Sequence, residues 1–355
     1  MSLDAQLLAA FRAADDGHIT AAELSSRLGV ARVTISRHIE ELRSLGYDIQ
    51  HQPSLGYRVA ASPDILFAED IQHRLGNTVI GRQVLVYKQT ASTNDLVEKL
   101  ALDGAAEGVV VFAESQTRGR GRMGRSWASP RGKGLWFSTL LRPKLPLSSV
   151  ARLTIAASVA IACAIREQTG LVAEIKWPND VFVAGRKCAG ILAELRTEMD
   201  AIKFVILGIG LDVNCDTSDF PPEVRKIATS LKIEMNQDAS PVAAVYDRRS
   251  GDAATELGGQ RPPLQDAINR GDFAVALLRE LNRAYGLAGD DDGFDEIRRE
   301  WGRLSSTLGK RVALQIGPHR LEGFAQALDE DGSLLVRCDN GRIEHAVSGD
   351  VMMEK

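Results

Sequence analysis

Apolar residues recur at helical spacing over the first sixty residues of the chain. Residues 5–14 carry one apolar helical face, and a capping-box sequence at residues 20–23 precedes a second short helix. Residues 31–45 repeat the pattern in a third helix, whose predicted apolar face consists of Val33, Ile35, Ile39, Leu42 and Leu45. This order of short helices predicts a helix-turn-helix.

The third helix carries polar residues where a recognition helix meets DNA. We predict that it binds DNA through Arg32, Thr34, Ser36 and Arg37. The runs YDIQH and GYRVA, separated by residues 52–55, predict the β-hairpin of a winged helix. Residues 1–62 contain six arginines, no lysine and seven carboxylates, which is little positive charge for binding phosphates. A three-helix interaction module therefore remains the alternative.

Short, closely spaced strand patterns dominate the middle of the chain. They occur in VLVYK, GVVVFAE, GLWFSTLL, AEIKWP, DVFVA, CAGILAEL and FVILGIGL, with helical patterns at 94–102 and 148–168. Contiguous strands indicate hairpins, so we predict a mixed sheet backed by helices rather than a regular parallel array. Pro63 interrupts the preceding strand, and residues 62–66 are the predicted linker.

The patterns change after residue 241. Residues 242–267 are rich in glycine, proline and charge, so we predict a disordered surface insertion. An acidic loop is predicted at residues 289–293. The expected fold class is α+β, with a winged helix-turn-helix at 1–62, a mixed-sheet α/β domain at 66–305 and a small SH3-like β-barrel at 308–355.

Composition makes any polyanion site a local feature. The chain has 355 residues and a formal net charge of -4, so it has no overall attraction to nucleic acid or membranes. We find no apolar run near the ~20 residues that span a bilayer and no signal-peptide pattern, which favours a cytoplasmic protein. The four cysteines lack CxxC spacing, which favours reduced thiols over zinc ligands or disulfides.

The segment QTRGRGRMGRSW, residues 116–127, combines glycines with alternating arginines. Glycine lets backbone N–H groups turn toward a ligand, and Arg120, Arg122 and Arg125 supply charge suited to a polyphosphate or a carboxyl-phosphate. Strand-like runs flank the segment. A mobile loop across a pocket is therefore favoured over a solvated or RNA-binding basic tract.

Four motifs in order resemble the biotin protein ligases: GRGRMGRSW at 119–127, KWPNDV at 176–181, RKCAGILAE at 186–194 and LGIGLDVN at 207–214. Together with the winged helix, they resemble the ligases that also repress the biotin operon. The resemblance implies that biotin and MgATP give biotinyl-5'-adenylate and pyrophosphate. A lysine of the biotin carboxyl carrier protein of acetyl-CoA carboxylase then takes the biotin. It further implies operator DNA and a homodimer as partners, and no membrane.

The resemblance also implies roles for the charged residues. The loop 119–125, which includes Gly119, would close over the adenylate, with Arg120 near the biotin carboxyl and Arg122 near the phosphates. Lys187 would bridge the carboxyl and the α-phosphate, because two anions approach each other only where positive charge is supplied. Without the resemblance, Lys187 reads as a surface lysine in a hairpin turn.

The KWPND motif combines a turn with two charged side chains. Pro178 is expected to end a strand and present Asn179 and Asp180, while Lys176 points the other way. We expect Asn179 and Lys176 in the nucleotide site, Lys176 on phosphate, and Asp180 on magnesium or orienting Lys176. Asp180 is also the candidate general base. A simple turn is the alternative interpretation.

A biotin pocket should be apolar, with a few fixed hydrogen-bonding groups. The resemblance assigns this pocket, including the ureido contacts and the floor, to Ser92, Thr93, Asn94, Gln116, Gly190 and Leu192. The same Ser-Thr-Asn sequence is a good helix N-cap.

One position departs from the family pattern. Asp212 stands where many relatives carry an asparagine that approaches the nucleotide. An ionised carboxylate cannot donate a hydrogen bond and repels phosphate, so metal binding is the alternative for Asp212. Two other functions also stay open, namely lipoate or octanoate transfer and ligand sensing by a transcription factor without ligase activity.

Overall fold

A computed structural model describes residues 2–14, 17–199, 201–238, 267–316, 319–347 and 349–353. Apart from Ala267, the predicted disordered insertion lies outside these residues.

The N-terminal module is a winged helix, as predicted. Its elements are α1 (Leu3–Arg12), α2 (Ala21–Leu28), α3 (Arg32–Ser44), β1 (Asp48–Gln52) and β2 (Gly56–Ala61), with β1 and β2 antiparallel. The capping box before α2 is present, because the Glu23 amide donates to Thr20 Oγ1 at 3.1 Å and the Thr20 amide donates to Glu23 Oε2 at 2.8 Å. These bonds satisfy amides that have no partner within the helix.

Two residues of the predicted apolar face of α3 are exposed, which corrects the prediction. Ile35, Ile39 and Leu42 are buried, whereas Val33 is 82% and Leu45 45% exposed. A helix turns about 100° per residue, so Val33 lies roughly 200° from Ile35, on the opposite side. Leu45 is the C-cap residue, beyond the last turn of α3.

The middle of the chain forms the predicted mixed sheet. Its order is β3-β4-β5-β9-β8-β7-β6, where β3 and β4 are parallel and the other neighbours are antiparallel. The strands are β3 (Gln83–Tyr87), β4 (Val109–Ala113), β5 (Gly134–Leu141), β6 (Ala173–Lys176), β7 (Asp180–Val183), β8 (Arg186–Glu198) and β9 (Ala201–Asp212). Helix α5 (Thr93–Leu102) makes the crossover between the two parallel strands.

Further helices surround this sheet, namely α4 (Ala68–Leu75), α6 (Ala151–Thr169), α7 (Leu231–Asp238), α8 (Arg270–Ala288) and α9 (Asp291–Leu304). The predicted acidic loop at residues 289–293 is wrong, because α9 begins inside it. Asp290 is the N-cap and accepts a hydrogen bond from the Gly293 amide at 2.7 Å. Acidic residues are favoured there because the helix dipole places partial positive charge at this end.

The expectation that the chain has no apolar run near bilayer-spanning length is wrong for the segment that contains α6. The segment Leu147–Thr169 is long and apolar enough to cross a membrane, and 72% of its apolar window is buried inside the protein. It packs against α8 and α9. That burial is the property of a core helix.

The C-terminal segment is an antiparallel sheet of order β13-β12-β11-β10-β14. Its strands are β10 (Arg311–Ile316), β11 (His319–Leu328), β12 (Leu334–Arg337), β13 (Ile343–Ala346) and β14 (Asp350–Met353). Closure into a barrel and the three domain boundaries stay predictions.

The predicted linker at residues 62–66 is tied to the central domain by a buried arginine. Arg270 is 2% exposed, and its Nε donates to Asp64 Oδ1 at 3.0 Å while its Nη1 donates to Glu114 Oε2 at 2.7 Å. Asn214 Nδ2 donates to Asp64 Oδ2 at 3.1 Å. These bonds connect the linker, the end of β4 and the loop after β9.

Candidate active site

A cavity of about 630 Å³ opens over the central sheet. It is bounded by the loop after β4, the turn between β6 and β7, the middle of β8 and β9, and residues 220–228. The predicted ligand residues that line it are Ser92, Thr93, Asn94, Gln116, Arg120, Arg122, Lys176, Asn179, Asp180, Lys187, Gly190, Leu192 and Asp212.

The arginine-rich loop, residues 119–127, folds as a small hairpin over the cavity. The Gly121 amide donates to the Arg125 carbonyl at 2.7 Å, and the Trp127 amide donates to the Gly119 carbonyl at 2.9 Å. At the tip, Met123 has φ 56°, in the left-handed region. A Cβ on Gly119 would lie 2.5 Å from the Trp127 carbonyl oxygen. Gly119 therefore shapes the hairpin and is not among the lining residues.

Two arginines of this loop reach other walls of the site. Arg122 Nη1 donates to Asn179 Oδ1 at 3.1 Å. Arg120 Nη1 lies 2.6 Å from Asp95 Oδ1, and its Nη2 lies 3.3 Å from Glu194 Oε2. Partial burial opposes the Arg120 charge, but Asp95 and Glu194 raise the pKa of the guanidinium overall. The loop is thus held over the cavity by side chains that stay cationic.

Lys187 is fixed by both its backbone and its ammonium group. Its amide donates to the Ile227 carbonyl at 2.8 Å, and its carbonyl accepts from the Thr229 amide at 2.8 Å. Its Nζ lies 2.7 Å from Asp180 Oδ1 and 5.2 Å from the Trp127 ring centroid. The contact with Asp180 is a charge attraction, since the geometry does not meet that of a directed hydrogen bond.

The turn of the KWPND motif differs from the prediction in two respects. Lys176 and Asp180 are directly opposite each other in the β6–β7 pair, so they share a face and both line the cavity. The expectation that Lys176 points the other way is therefore wrong. Asp180 pairs with Lys187 rather than orienting Lys176, whose Nζ lies 5.9 Å from the Phe182 ring centroid.

A chain of hydrogen bonds fixes the wall at the start of α5. The Thr93 amide donates to Gln116 Oε1 at 2.8 Å, and Gln116 Nε2 donates to Ser129 Oγ at 2.9 Å. Asn94 Nδ2 donates to Glu194 Oε2 at 2.6 Å. Ser92 occupies the N-cap position, but its side chain makes no capping bond to a described residue. Ser92 therefore occupies the predicted N-cap position, but its hydroxyl does not cap the helix.

The cavity floor contains glycines that allow the indole ring of Trp127 to approach the sheet. A Cβ on Gly210 would lie 2.6 Å from Trp127 Nε1, and one on Gly190 would lie 2.9 Å from Trp127 Cζ3. A Cβ on Gly208 would lie 2.3 Å from Asn94 Oδ1. Sequence reasoning missed Trp127, Gly208 and Gly210. The signal was present, because glycines two apart in a strand leave one face without side chains.

Comparisons with known proteins show the family of the chain. Residues 86–212 match the Biotin/lipoate A/B protein ligase family, residues 5–58 an HTH domain and residues 307–353 a biotin protein ligase C-terminal domain. The chain is 40% identical over 350 residues to the Bifunctional ligase/repressor BirA of Bacillus spizizenii, covering 99% of this chain and 98% of that protein. The chain belongs to the bifunctional ligase/repressor family of biotin protein ligases.

Two further biotin protein ligases align over about three quarters of the chain. A Biotin--[acetyl-CoA-carboxylase] ligase of Mycobacterium tuberculosis is 32% identical and covers 76% of this chain and 89% of its own length. The structure of the biotin protein ligase from Aquifex aeolicus in complex with biotin and ATP is 25% identical. It superposes with a TM-score of 0.59 and covers 77% of this chain and 98% of the Aquifex chain.

The surroundings of Asp212 disfavour the ionised form of its carboxyl. It lies at the end of β9, is 4% exposed and lines the cavity. Burial raises the pKa of its carboxyl well above the usual range, and the Cys215 thiol at 3.5 Å and the Lys187 charge only partly oppose this. A protonated carboxyl is neutral and can donate a hydrogen bond. It is also a poor metal ligand, which weakens the alternative assigned to this residue.

The predicted DNA-binding residues lie together at the start of α3. Arg32, Ser36 and Arg37 are exposed, and Thr34 is half-buried. The Ser36 hydroxyl donates to the Arg32 carbonyl at 3.1 Å. This end of α3 is the end that helix-turn-helix proteins present to base edges.

Proposed function

We propose that this protein joins biotin to AMP and then transfers the biotinyl group to a lysine of a biotin carboxyl carrier protein. The proposal rests on one observation: arginines of the arginine-rich loop, Lys187 and the floor glycines all line one cavity of about 630 Å³. A cavity of that size suits a small molecule joined to a nucleotide. Lipoate or octanoate transfer is the competing assignment.

In the first step, a biotin carboxylate oxygen attacks the α-phosphorus of ATP. The bond from this phosphorus to the oxygen that bridges to the β-phosphate breaks, and pyrophosphate leaves. Arg120 is assigned to the biotin carboxyl, and Arg122 and Lys176 to the phosphates. Lys187 is assigned to the charge that develops between carboxyl and phosphorus. Groups fixed before the reaction stabilise such charge without reorganising.

In the second step, the acceptor amine attacks the acyl carbon, and AMP leaves with the electrons of the mixed anhydride bond. The amine must lose a proton. Asp180 is the candidate to accept it, since its carboxylate lies on the cavity wall beside Lys187. Proximity and exclusion of water supply much of the acceleration in such a transfer.

Magnesium fits this site only in part. Among the described residues, the group of three side chains with metal-ligand spacing is Asp4, His38 and Glu41 in the winged helix, away from the cavity. Mg²⁺ often binds through one or two carboxylates plus substrate phosphates. Asp180 is the cavity carboxylate assigned to hold it, and the metal would neutralise phosphate charge.

The ligand assignment is tested by supplying biotin, lipoate or octanoate with ATP and a carrier domain. Mass spectrometry of the carrier should show the biotinyl adduct, with pyrophosphate released only when biotin is present. Loading of lipoate with biotin ignored would refute the assignment. Lack of pyrophosphate release with every ligand would instead favour a sensor without ligase activity.

A second function is supported by the winged helix. We propose that a homodimer binds a two-fold operator and represses in response to biotin, with Arg32, Thr34, Ser36 and Arg37 at the DNA. A gel shift with DNA upstream of biotin genes should strengthen when biotin and ATP are added, and size-exclusion chromatography should show a dimer. Equal shifts with and without ligands would contradict the regulation. A cytoplasmic location stays a prediction.

A further inference from the structure

A large apolar side chain stands exposed on the recognition helix. Val33, the second residue of α3, is 82% exposed, whereas Ile35 and Ile39 of the same helix are 0% and 1% exposed. The core of the winged helix is complete without Val33. Single exposed apolar residues are common on protein surfaces. The residues around Val33 must therefore show whether its exposure serves a function.

The charges along α3 restrict which part of the helix can approach DNA. Arg32 and Arg37 are exposed around Val33, and Glu40 and Glu41 are exposed one turn further on. The helix dipole adds positive charge at the start of α3. Phosphates are therefore attracted to the first two turns and repelled by the third. Val33 lies in the part of the helix that is proposed to enter the groove.

Two polar neighbours of Val33, namely Ser36 and Arg37, also make contacts within the helix. The Ser36 hydroxyl donates to the Arg32 carbonyl at 3.1 Å. Arg37 Nη2 lies 3.1 Å from His38 Nε2, and its Nε lies 3.7 Å from Glu41 Oε1. These contacts draw the Arg37 guanidinium along the helix. The branched methyl groups of Val33 are left as an exposed apolar contact at the start of α3.

The major groove offers a partner for such a group. Base edges there present hydrogen-bond donors and acceptors, and thymine adds an apolar 5-methyl group. Valine has no donor or acceptor, so thymine is the base that its side chain can distinguish. We propose that Val33 reads a thymine 5-methyl group in each half-site of the operator. This inference rests on the proposed DNA binding.

The test removes the two methyl partners separately. Duplexes are first enriched from a randomised library by the full-length protein with biotin and ATP, and each thymine is then replaced in turn by deoxyuridine, which lacks only the 5-methyl group. At one thymine per half-site, the wild-type protein should lose about three- to fivefold in affinity, the size expected for one methyl contact. Val33→Ala should show a similar loss on the thymine duplex and no further loss with deoxyuridine there.

Controls separate this contact from general effects. Val172→Ala alters a valine of the central domain that is 70% exposed, and it should leave every DNA affinity unchanged. Carrier biotinylation and thermal unfolding should be the same for Val33→Ala and wild type. If Val33→Ala remains sensitive to the same deoxyuridine, or if no thymine is sensitive in the wild type, the inference is overturned. If no duplex is enriched at all, the proposed DNA binding fails and the inference fails with it.

Discussion

Removing the buried Arg270 side chain should destabilise the joint between the winged helix and the central domain. Arg270→Met keeps an unbranched apolar stem but removes the guanidinium. The Asp64 and Glu114 carboxylates, whose side chains are 29% and 17% exposed, then lose their partner. The linker also loses the bond from Arg270 Nη2 to the Asp64 carbonyl at 3.0 Å.

The size of the effect follows from the burial of these groups. Removing one partner of a buried ion pair costs about 3–5 kcal/mol, and partial exposure of the carboxylates reduces this through solvent screening. We expect a loss of about 2–4 kcal/mol in the free energy of unfolding. For a domain of this size that corresponds to a decrease in melting temperature of roughly 5–15 °C.

Thermal unfolding followed by circular dichroism measures this effect, and the same helix offers a matched control. Arg279 is exposed on α8 and donates to the Arg74 carbonyl at 2.8 Å. Arg279→Met should change the free energy of unfolding by no more than about 0.5 kcal/mol. A melting temperature for Arg270→Met within about 2 °C of wild type would refute the reasoning, because the ion pairs would then contribute little.

Three further predictions concern the cavity. Lys187→Ala should lower the rate of pyrophosphate release about 100- to 1,000-fold. Lys203→Ala, which alters an exposed lysine paired with Glu198, should leave this rate unchanged. Near-normal turnover of Lys187→Ala would exclude the assigned role. Because burial raises the Asp212 pKa, this residue stabilises the fold at acidic pH and loses that contribution as pH rises through the raised pKa. Asp212→Asn should therefore gain in melting temperature relative to wild type as pH increases above about 4, and a difference that is constant with pH would contradict the protonated state. Gly210→Ala should displace the Trp127 ring and lower kcat/KM by up to about 100-fold. Gly286→Ala, where a Cβ meets nothing within 4 Å, should keep wild-type activity.

Local patterns predicted most of the fold. The capping box before α2, the hairpin of the wing and the contiguous strands of the central sheet follow from spacing over a few residues. Two errors came from geometry at the ends of elements. Val33 was counted as apolar core although its angle on the helix turns it outward, and the acidic residues before α9 were taken as a loop although they form a capped helix start.

The sequence motifs predicted many of the residues that line the cavity, but not which of those residues contact each other. The motifs identified residues that line one cavity, but the pairing of Asp180 with Lys187 depends on how β7 and β8 are aligned. Arg270 and Asp64 lie 206 residues apart in sequence, so no local pattern could connect them. The approach of Trp127 to Gly210 depends on how the loop folds over the sheet.

We propose that the arginines of the arginine-rich loop and Lys187 neutralise charge while a biotin carboxyl joins AMP. The most direct test of this proposal is mass spectrometry of the protein after incubation with biotin and ATP, with pyrophosphate measured in the same sample. We predict bound biotinyl-5'-adenylate, formed with an equal amount of pyrophosphate when both ligands are present and greatly reduced in Lys187→Ala. Absence of the adenylate from the wild-type protein, or its undiminished formation by Lys187→Ala, would contradict the account.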